Sequence, residues 1–139
     1  MALTIICLCG PANTGKSSSI REFTARYLEY RREGAARDVL GIFRLPIRKY
    51  AVGVSSRGDT PGQIKQGRDF LLKYSGLRVM IVACHPSGAT RREIDRLAAR
   101  ETVTPVFIET NKLKSRRDQD RAIEANVAAM WGLMPRSRN

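Results

Sequence analysis

The sequence contains few aromatic residues and few acidic residues. Aromatic side chains make up 6% of the 139 residues, and most of them fall at positions expected for helical cores. Single-strand nucleic-acid binding by interleaved base stacking is therefore not favoured. The 13 Asp and Glu residues face 25 Lys and Arg residues, which gives a formal net charge of +12. Such an excess points to a polyanionic partner, for which nucleotides, nucleic acid and an acidic protein all qualify.

Cysteine is scarce as well, and no apolar run is long enough to cross a membrane. Cys7, Cys9 and Cys84 are odd in number and form no CxxC pair, which argues against a zinc site and a disulfide framework. Each lies in a short apolar run, so we expect reduced core thiols in a cytoplasmic protein. The first run, 2–9, lacks the flanks of a signal peptide. We therefore expect no membrane partner.

Apolar runs and helical periodicities alternate along the chain, as in an α/β protein. The predicted buried strands are 3–9, 77–83 and 103–109. The predicted helices begin after residue 17 and near residue 64, and cover 89–100 and 117–131. Gly34 is expected to end the first helix. Two β-rich runs within 39–54 predict a β-hairpin beside a mostly parallel sheet with helices on both faces. We expect one domain over 1–134 and a basic tail at 135–139.

The segment between the first strand and the first helix reads GPANTGKS and matches GxxxxGK[ST] at every fixed position. Gly10 allows a tight turn, and Gly15 lets the backbone approach a phosphate. Successive N–H groups at the helix N-terminus then form a nest for an anion. Lys16 is expected to reach the β- and γ-phosphates, and Ser17 to offer its hydroxyl to Mg²⁺. The predicted phosphate-binding residues are Gly10, Pro11, Ala12, Asn13, Thr14, Gly15, Lys16, Ser17 and Ser18.

With this loop, the chain resembles the P-loop NTPases. The resemblance implies a three-layer P-loop NTPase fold, a nucleoside triphosphate, Mg²⁺ and phosphoryl chemistry. It also implies a carboxylate that holds Mg²⁺ through water. Asp59 is our hypothesis for this group, because the strand at 77–83 ends without an acid and Glu109 comes late in the chain. Asp59 is thus predicted to bind the metal together with Ser17 and to take part in catalysis together with Lys16. The alternative for Asp59 is a helix-capping role.

Two short motifs resemble those of Ras-like GTPases. Residues 59–63, DTPGQ, resemble the switch that senses the γ-phosphate, and by this resemblance Gln63 orients the attacking water. Residues 111–114, NKLK, resemble the guanine-reading NKxD, which implies that Asn111 and Lys112 contact the base. Lys114 stands where that motif has Asp, and an ammonium cannot accept hydrogen bonds from guanine. We therefore expect ATP, with GTP as the alternative.

The basic clusters of the sequence fit more than one branch of the P-loop NTPase superfamily. Small nucleotide kinases carry a basic lid that neutralises the transferring phosphoryl group, and this chain has comparable residues. They are Arg91, Arg92, Lys112, Lys114, Arg116, Arg117 and Arg121. The sequence thus predicts an Mg²⁺-dependent ATPase or phosphotransferase. The alternatives are a GTPase-like switch, and a nucleotide-binding module for nucleic acid or an acidic partner protein.

Overall fold

The computed structural model describes residues 3–11, 14–30, 38–58, 60–74 and 76–136, and a five-stranded sheet lies at its centre. The strands are β1 (Thr4–Cys9), β2 (Leu40–Leu45), β3 (Tyr50–Ser55), β4 (Leu77–Cys84) and β5 (Val106–Glu109). The helices are α1 (Lys16–Tyr27), α2 (Pro61–Leu71), α3 (Ala89–Arg100) and α4 (Arg116–Leu133). The predicted α/β class is confirmed. No helix in these described ranges has the length and apolarity needed to cross a membrane.

The strand order is β2-β3-β4-β1-β5, and every neighbouring pair is parallel except β2 and β3. The antiparallel pair is the predicted hairpin, with Leu40 opposite Ser55 and Leu45 opposite Tyr50. β1 lies between β4 and β5. The carboxyl ends of β1, β3, β4 and β5 therefore share one edge of the sheet, where ligands bind in open α/β sheets.

Helices cover both faces of the sheet, which explains why β1 is apolar along its whole length. Leu8 packs into a core that includes Ile20 of α1 and Met130 of α4. Cys7 faces the other way, into a core that includes Ile94 of α3 and side chains of α2. Successive side chains of β1 point to opposite faces of the sheet and therefore pack into two separate cores.

α4 packs along α1, the helix that follows the glycine-rich loop. The rings of Tyr27 and Trp131 stack with their centroids 4.2 Å apart. Nearer the loop, Asn126 Nδ2 donates a hydrogen bond to Ser19 Oγ at 3.1 Å. These contacts fix the position of α4 relative to the first turns of α1.

Two predicted boundaries were wrong. α1 ends at Tyr27 rather than at Gly34, because Glu29 takes a left-handed conformation with φ 55° that stops the helix. Gly34 itself lies outside the described residues. β5 begins at Val106 rather than at Val103, directly after a proline that has no N–H for the strand ladder.

The segment predicted as a basic tail begins with a residue that is tied to the hairpin. The carbonyl of Pro135 accepts a hydrogen bond from Tyr50 Oη at 2.6 Å and from Arg48 at 3.3 Å. Arg136 is exposed, and residues 137–139 lie outside the described residues. Pro135 is therefore held against the hairpin, and the division of the chain into a domain at 1–134 and a basic tail stays a prediction.

Close packing of α2 on β3 gives the first test. A Cβ at Gly67 would lie 2.5 Å from Ser55 Oγ. We expect Gly67→Ala to lower the free energy of unfolding by about 2 kcal/mol, because α2 or Ser55 must move. The matched control is Gly132→Ala in α4, where a Cβ meets nothing within 4 Å. That change should stabilise the fold by about 0.5 kcal/mol through helix propensity. Urea denaturation measures both, and equal signs would contradict this packing.

Candidate functional site

The glycine-rich loop leaves β1 at the carboxyl edge of the sheet, between the ends of β4 and β5. The N–H of Gly10 donates to the Cys84 carbonyl at 3.1 Å, and the N–H of Thr110 donates to the Cys9 carbonyl at 2.8 Å. A Cβ at Gly10 would collide with Thr110 Oγ1. The first glycine of the motif is therefore required by close packing against the end of β5.

Gly15 ends the loop and begins α1. It takes a left-handed conformation, φ 86° and ψ 13°, which favours glycine. A Cβ here would also collide with the side-chain amide of Gln119 in α4. No side chain of the described residues caps α1, and its first turn carries no acid. The N–H groups of that turn are therefore suited to an anion.

Lys16 is buried, with 7% of its surface exposed. Its Nζ donates to the Gly10 carbonyl at 2.6 Å and to the Cys84 carbonyl at 3.2 Å. Neither acceptor carries a charge, and no carboxylate within the described residues lies within ion-pair distance of Lys16. A buried ammonium without a counter-ion is costly, and a bound anion would compensate it.

Thr14 connects the loop to the end of β5. Its hydroxyl donates to the Pro11 carbonyl at 2.8 Å, and the hydroxyls of Thr14 and Thr110 lie 2.6 Å apart. Both threonines are buried. This chain of hydrogen bonds holds the loop in one shape, which a preorganised anion site requires.

The remaining loop residues differ in how the structure places them. Pro11 is exposed, while Ser17 and Ser18 are half-buried in the first turn of α1. Ser18 Oγ accepts a hydrogen bond from Arg21 at 3.2 Å. Ala12 and Asn13 lie outside the described residues. The structure thus brings Gly10, Thr14, Gly15, Lys16, Ser17 and Ser18 together at one end of α1.

Asp59 also lies outside the described residues, but its neighbour is well placed. Gly58 is buried, and a Cβ there would collide with the carbonyl of Ala83. The next residue of β4 is Cys84, whose carbonyl accepts the hydrogen bond from Lys16. β4 separates β3 from β1, and this contact brings the loop after β3 back toward the glycine-rich loop.

Gln63 lies in the first turn of α2. Thr60 is the N-cap of that helix, and its hydroxyl accepts a hydrogen bond from the Gln63 N–H at 3.2 Å. Pro61 follows at the first helical position. A Thr with Gln three residues later is the sequence signature of a capping box, so part of DTPGQ has a structural explanation. The catalytic role of Gln63 stays a prediction.

A groove of about 380 Å³ opens between the first turns of α1 and α4. Gly15 and Ser18 line one side, and residues 112–116 with Gln119 line the other. Lys112 therefore lies in this lining, whereas Asn111 does not. The lining contains three cations and no carboxylate within the described residues. The wider basic cluster of Lys112, Lys114, Arg116, Arg117 and Arg121 is exposed.

The three thiols lie together beneath the loop, in β1 and β4, and all are buried and free, as predicted. Cys7 Sγ and Cys84 Sγ are 3.0 Å apart. Burial raises the pKa of the Cys9 thiol to about 11, so it stays protonated at neutral pH. Among the described residues, no group of three or more His, Cys, Asp or Glu side chains is placed to hold a metal. We therefore interpret these thiols as packing residues.

Arg91 lies apart from the loop lining, on the other face. Its guanidinium covers the ring of Phe107 at 3.5 Å, and Nη1 contacts Cys9 Sγ at 3.4 Å. Arg92 is exposed. Arg91 is thus engaged in packing, and the assignment of these arginines to a phosphoryl-binding lid stays a prediction.

Sequence reasoning missed three residues of this site: Cys84, Thr110 and Gln119. Cys84 and Thr110 lie at or next to the carboxyl ends of strands that flank β1, where the sheet rule could have identified them. Gln119 carries no local signal, because its place depends on how α4 packs against α1.

The hydroxyl pair in the loop gives a test that needs no ligand. We expect the double-mutant cycle of Thr14→Val and Thr110→Val to give a coupling free energy of about 1 kcal/mol in urea unfolding. The control cycle pairs Thr14→Val with Thr24→Val. The Thr24 hydroxyl is also buried and donates to the Ile20 carbonyl at 2.7 Å. Those two changes should be additive within about 0.5 kcal/mol. Additivity in both cycles would contradict the link between the loop and β5.

Comparison with known proteins identified no relative of this chain. A scan against protein-family models, a search of curated proteins and a search of solved structures each found no match. The features that point to a function are the GxxxxGK[ST] motif, the placement of Lys16, the uncapped first turn of α1 and the adjoining groove.

Proposed function

We propose that this protein is a P-loop NTPase that binds Mg²⁺-ATP and hydrolyses it or transfers its γ-phosphoryl group. The observation that carries the proposal is the buried ammonium of Lys16, which has no carboxylate partner among the described residues. It is the lysine of the GxxxxGK[ST] motif and the first residue of α1. The proposal includes the three-layer P-loop NTPase fold, which the parallel strands and the helices on both faces support.

In this proposal, the loop binds the triphosphate. Backbone N–H groups from Thr14 to Ser17 donate to phosphate oxygens, aided by the positive end of the α1 dipole. Lys16 exchanges its neutral carbonyl acceptors for charged oxygens of the β- and γ-phosphates, which strengthens its hydrogen bonds. Ser18, in the first turn of α1, is assigned to the α-phosphate.

The residues present fit Mg²⁺. This ion commonly binds through one or two protein oxygens, with phosphate oxygens and water completing its shell. A cluster of three ligating side chains is therefore not required. The Ser17 hydroxyl is the proposed direct ligand, and Asp59 is the proposed carboxylate that acts through water. The contact of Gly58 with the end of β4 supports this placement of Asp59. The ion would neutralise charge on the phosphates.

The groove beside Gly15 is the proposed nucleoside site. Its volume of about 380 Å³ falls within the range of small-molecule sites. It adjoins Ser18, and Lys112 in its lining agrees with the proposed contact to the base. Arg117 and Arg121 are exposed on the first turns of α4, and their charge would add to the attraction of a polyanionic ligand.

The central test is Lys16→Met, which keeps the apolar stem and removes the charge. We expect ATP affinity to fall at least about 100-fold, since one charge-assisted contact contributes about 1.5–3 kcal/mol and Lys16 reaches two phosphates. The melting temperature without nucleotide should not fall, because an uncompensated buried charge is lost. Thermal shift with ATP, GTP and nucleoside monophosphates, each with Mg²⁺, makes the measurement.

The matched control for that test is Lys65→Met on the exposed side of α2, which should bind ATP as the wild type does. Retained ATP affinity in Lys16→Met would refute the proposed function. Added stabilisation by a monophosphate in the presence of ATP would identify a phosphotransferase rather than a hydrolase.

Asp59→Asn tests the carboxylate. We expect Mg²⁺-dependent ATP turnover to fall at least about tenfold, because the amide holds the metal-bound water less well. ATP binding measured in EDTA should be unchanged, and so should the melting temperature. The control is Asp69→Asn, an exposed carboxylate on α2 that pairs with Arg68. Unaltered turnover in Asp59→Asn would exclude Asp59 as the metal-linked group.

A further inference from the structure

The charged side chains that line the groove beside the phosphate loop are hydrogen-bond donors. Lys112, Lys114 and Arg116 can only donate. The hydroxyls of Ser18 and Ser115 can both donate and accept, and Ser115 Oγ accepts the Asp118 N–H at 3.1 Å as the N-cap of α4.

Gln119 is the one lining residue with a carboxamide. This group carries one acceptor and two donors beside one another, and the residue is half-buried. The amide touches Gly15 so closely that no Cβ would fit there. It therefore lies directly beside the loop that the proposed function assigns to the phosphates.

The position of Gln119 is fixed by the helix that carries it. One turn further along α4, Ile123 also packs near Gly15. Asn126 then bonds to Ser19, and Trp131 stacks on Tyr27. Because α4 is anchored in this way, it can hold the Gln119 side chain in a defined position relative to a ligand.

We propose that Gln119 reads the nucleobase and selects adenine over guanine. This inference rests on the proposed function, since it needs the triphosphate in the loop. At its N6/N7 edge, adenine presents an amino donor beside a ring acceptor, and a carboxamide matches both. Guanine presents two acceptors, O6 and N7, at the same edge, so the carboxamide can form only one of the two hydrogen bonds there.

The experiment compares Mg²⁺-ATP, Mg²⁺-GTP and inorganic tripolyphosphate by calorimetry in the wild type, Gln119→Leu and Gln119→Glu. The wild type should bind ATP about tenfold more tightly than GTP, the low end of the discrimination of one amide–adenine pair. Gln119→Leu should bring that ratio close to one. Gln119→Glu should weaken the binding of both nucleotides, because a carboxylate cannot donate to N7 of either base. Tripolyphosphate affinity should stay within about threefold in Gln119→Leu.

Gln66→Glu on the exposed surface of α2 introduces the same charge away from the groove and should leave the ATP-to-GTP ratio unchanged. If the wild type binds ATP but the ratio is the same in all variants, the role of Gln119 is overturned and the proposed function stands. If the wild type binds neither ATP nor tripolyphosphate, the proposed function is overturned and this inference with it.

Discussion

A buried ammonium held by two neutral carbonyls is the interaction on which the arrangement of the loop depends. Lys16 joins Gly10, at the end of β1, to Cys84, at the end of β4. The loop after β3 packs on the same end of β4 through Gly58. The glycine-rich loop, the end of β4 and the loop after β3 therefore meet near Lys16. Such a group contributes little net stability, because its desolvation offsets the bonds it makes, and this is why the proposed function gives Lys16 an anionic ligand.

The strand order explains why several segments meet near Lys16 at the carboxyl edge of the sheet. β1 has a parallel neighbour on each side, so its loop leaves the sheet between two other carboxyl ends. β4 supplies the carbonyl of Cys84, and Thr110, directly after β5, supplies the hydroxyl that contacts Thr14. Basic residues of the loop after β5 then line the groove beside Gly15. Part of the net charge of +12 is thus concentrated where a polyanion would bind.

Local patterns predicted much of this arrangement, and long-range packing accounts for the rest. The glycine-rich loop and the hairpin were visible because each depends on adjacent residues. Thr110 and Gln119 were not, since both become part of the site only through the order β4-β1-β5 and the packing of α4 on α1. The end of α1 was misplaced because Glu29 takes a left-handed conformation that its residue type does not favour.

The two Ras-like motifs differ in how the structure places their residues. In DTPGQ, Thr60 accepts the Gln63 N–H and Pro61 is the first helical residue of α2, so the start of a helix explains Thr60 and Pro61 but not the Gln63 side chain. In NKLK, Lys112 lines the groove while Asn111 does not. Under the proposed function, neither placement distinguishes one branch of the P-loop NTPases from another. The groove bears on the choice of base more directly, because the amide of Gln119 is the group that our proposal pairs with adenine.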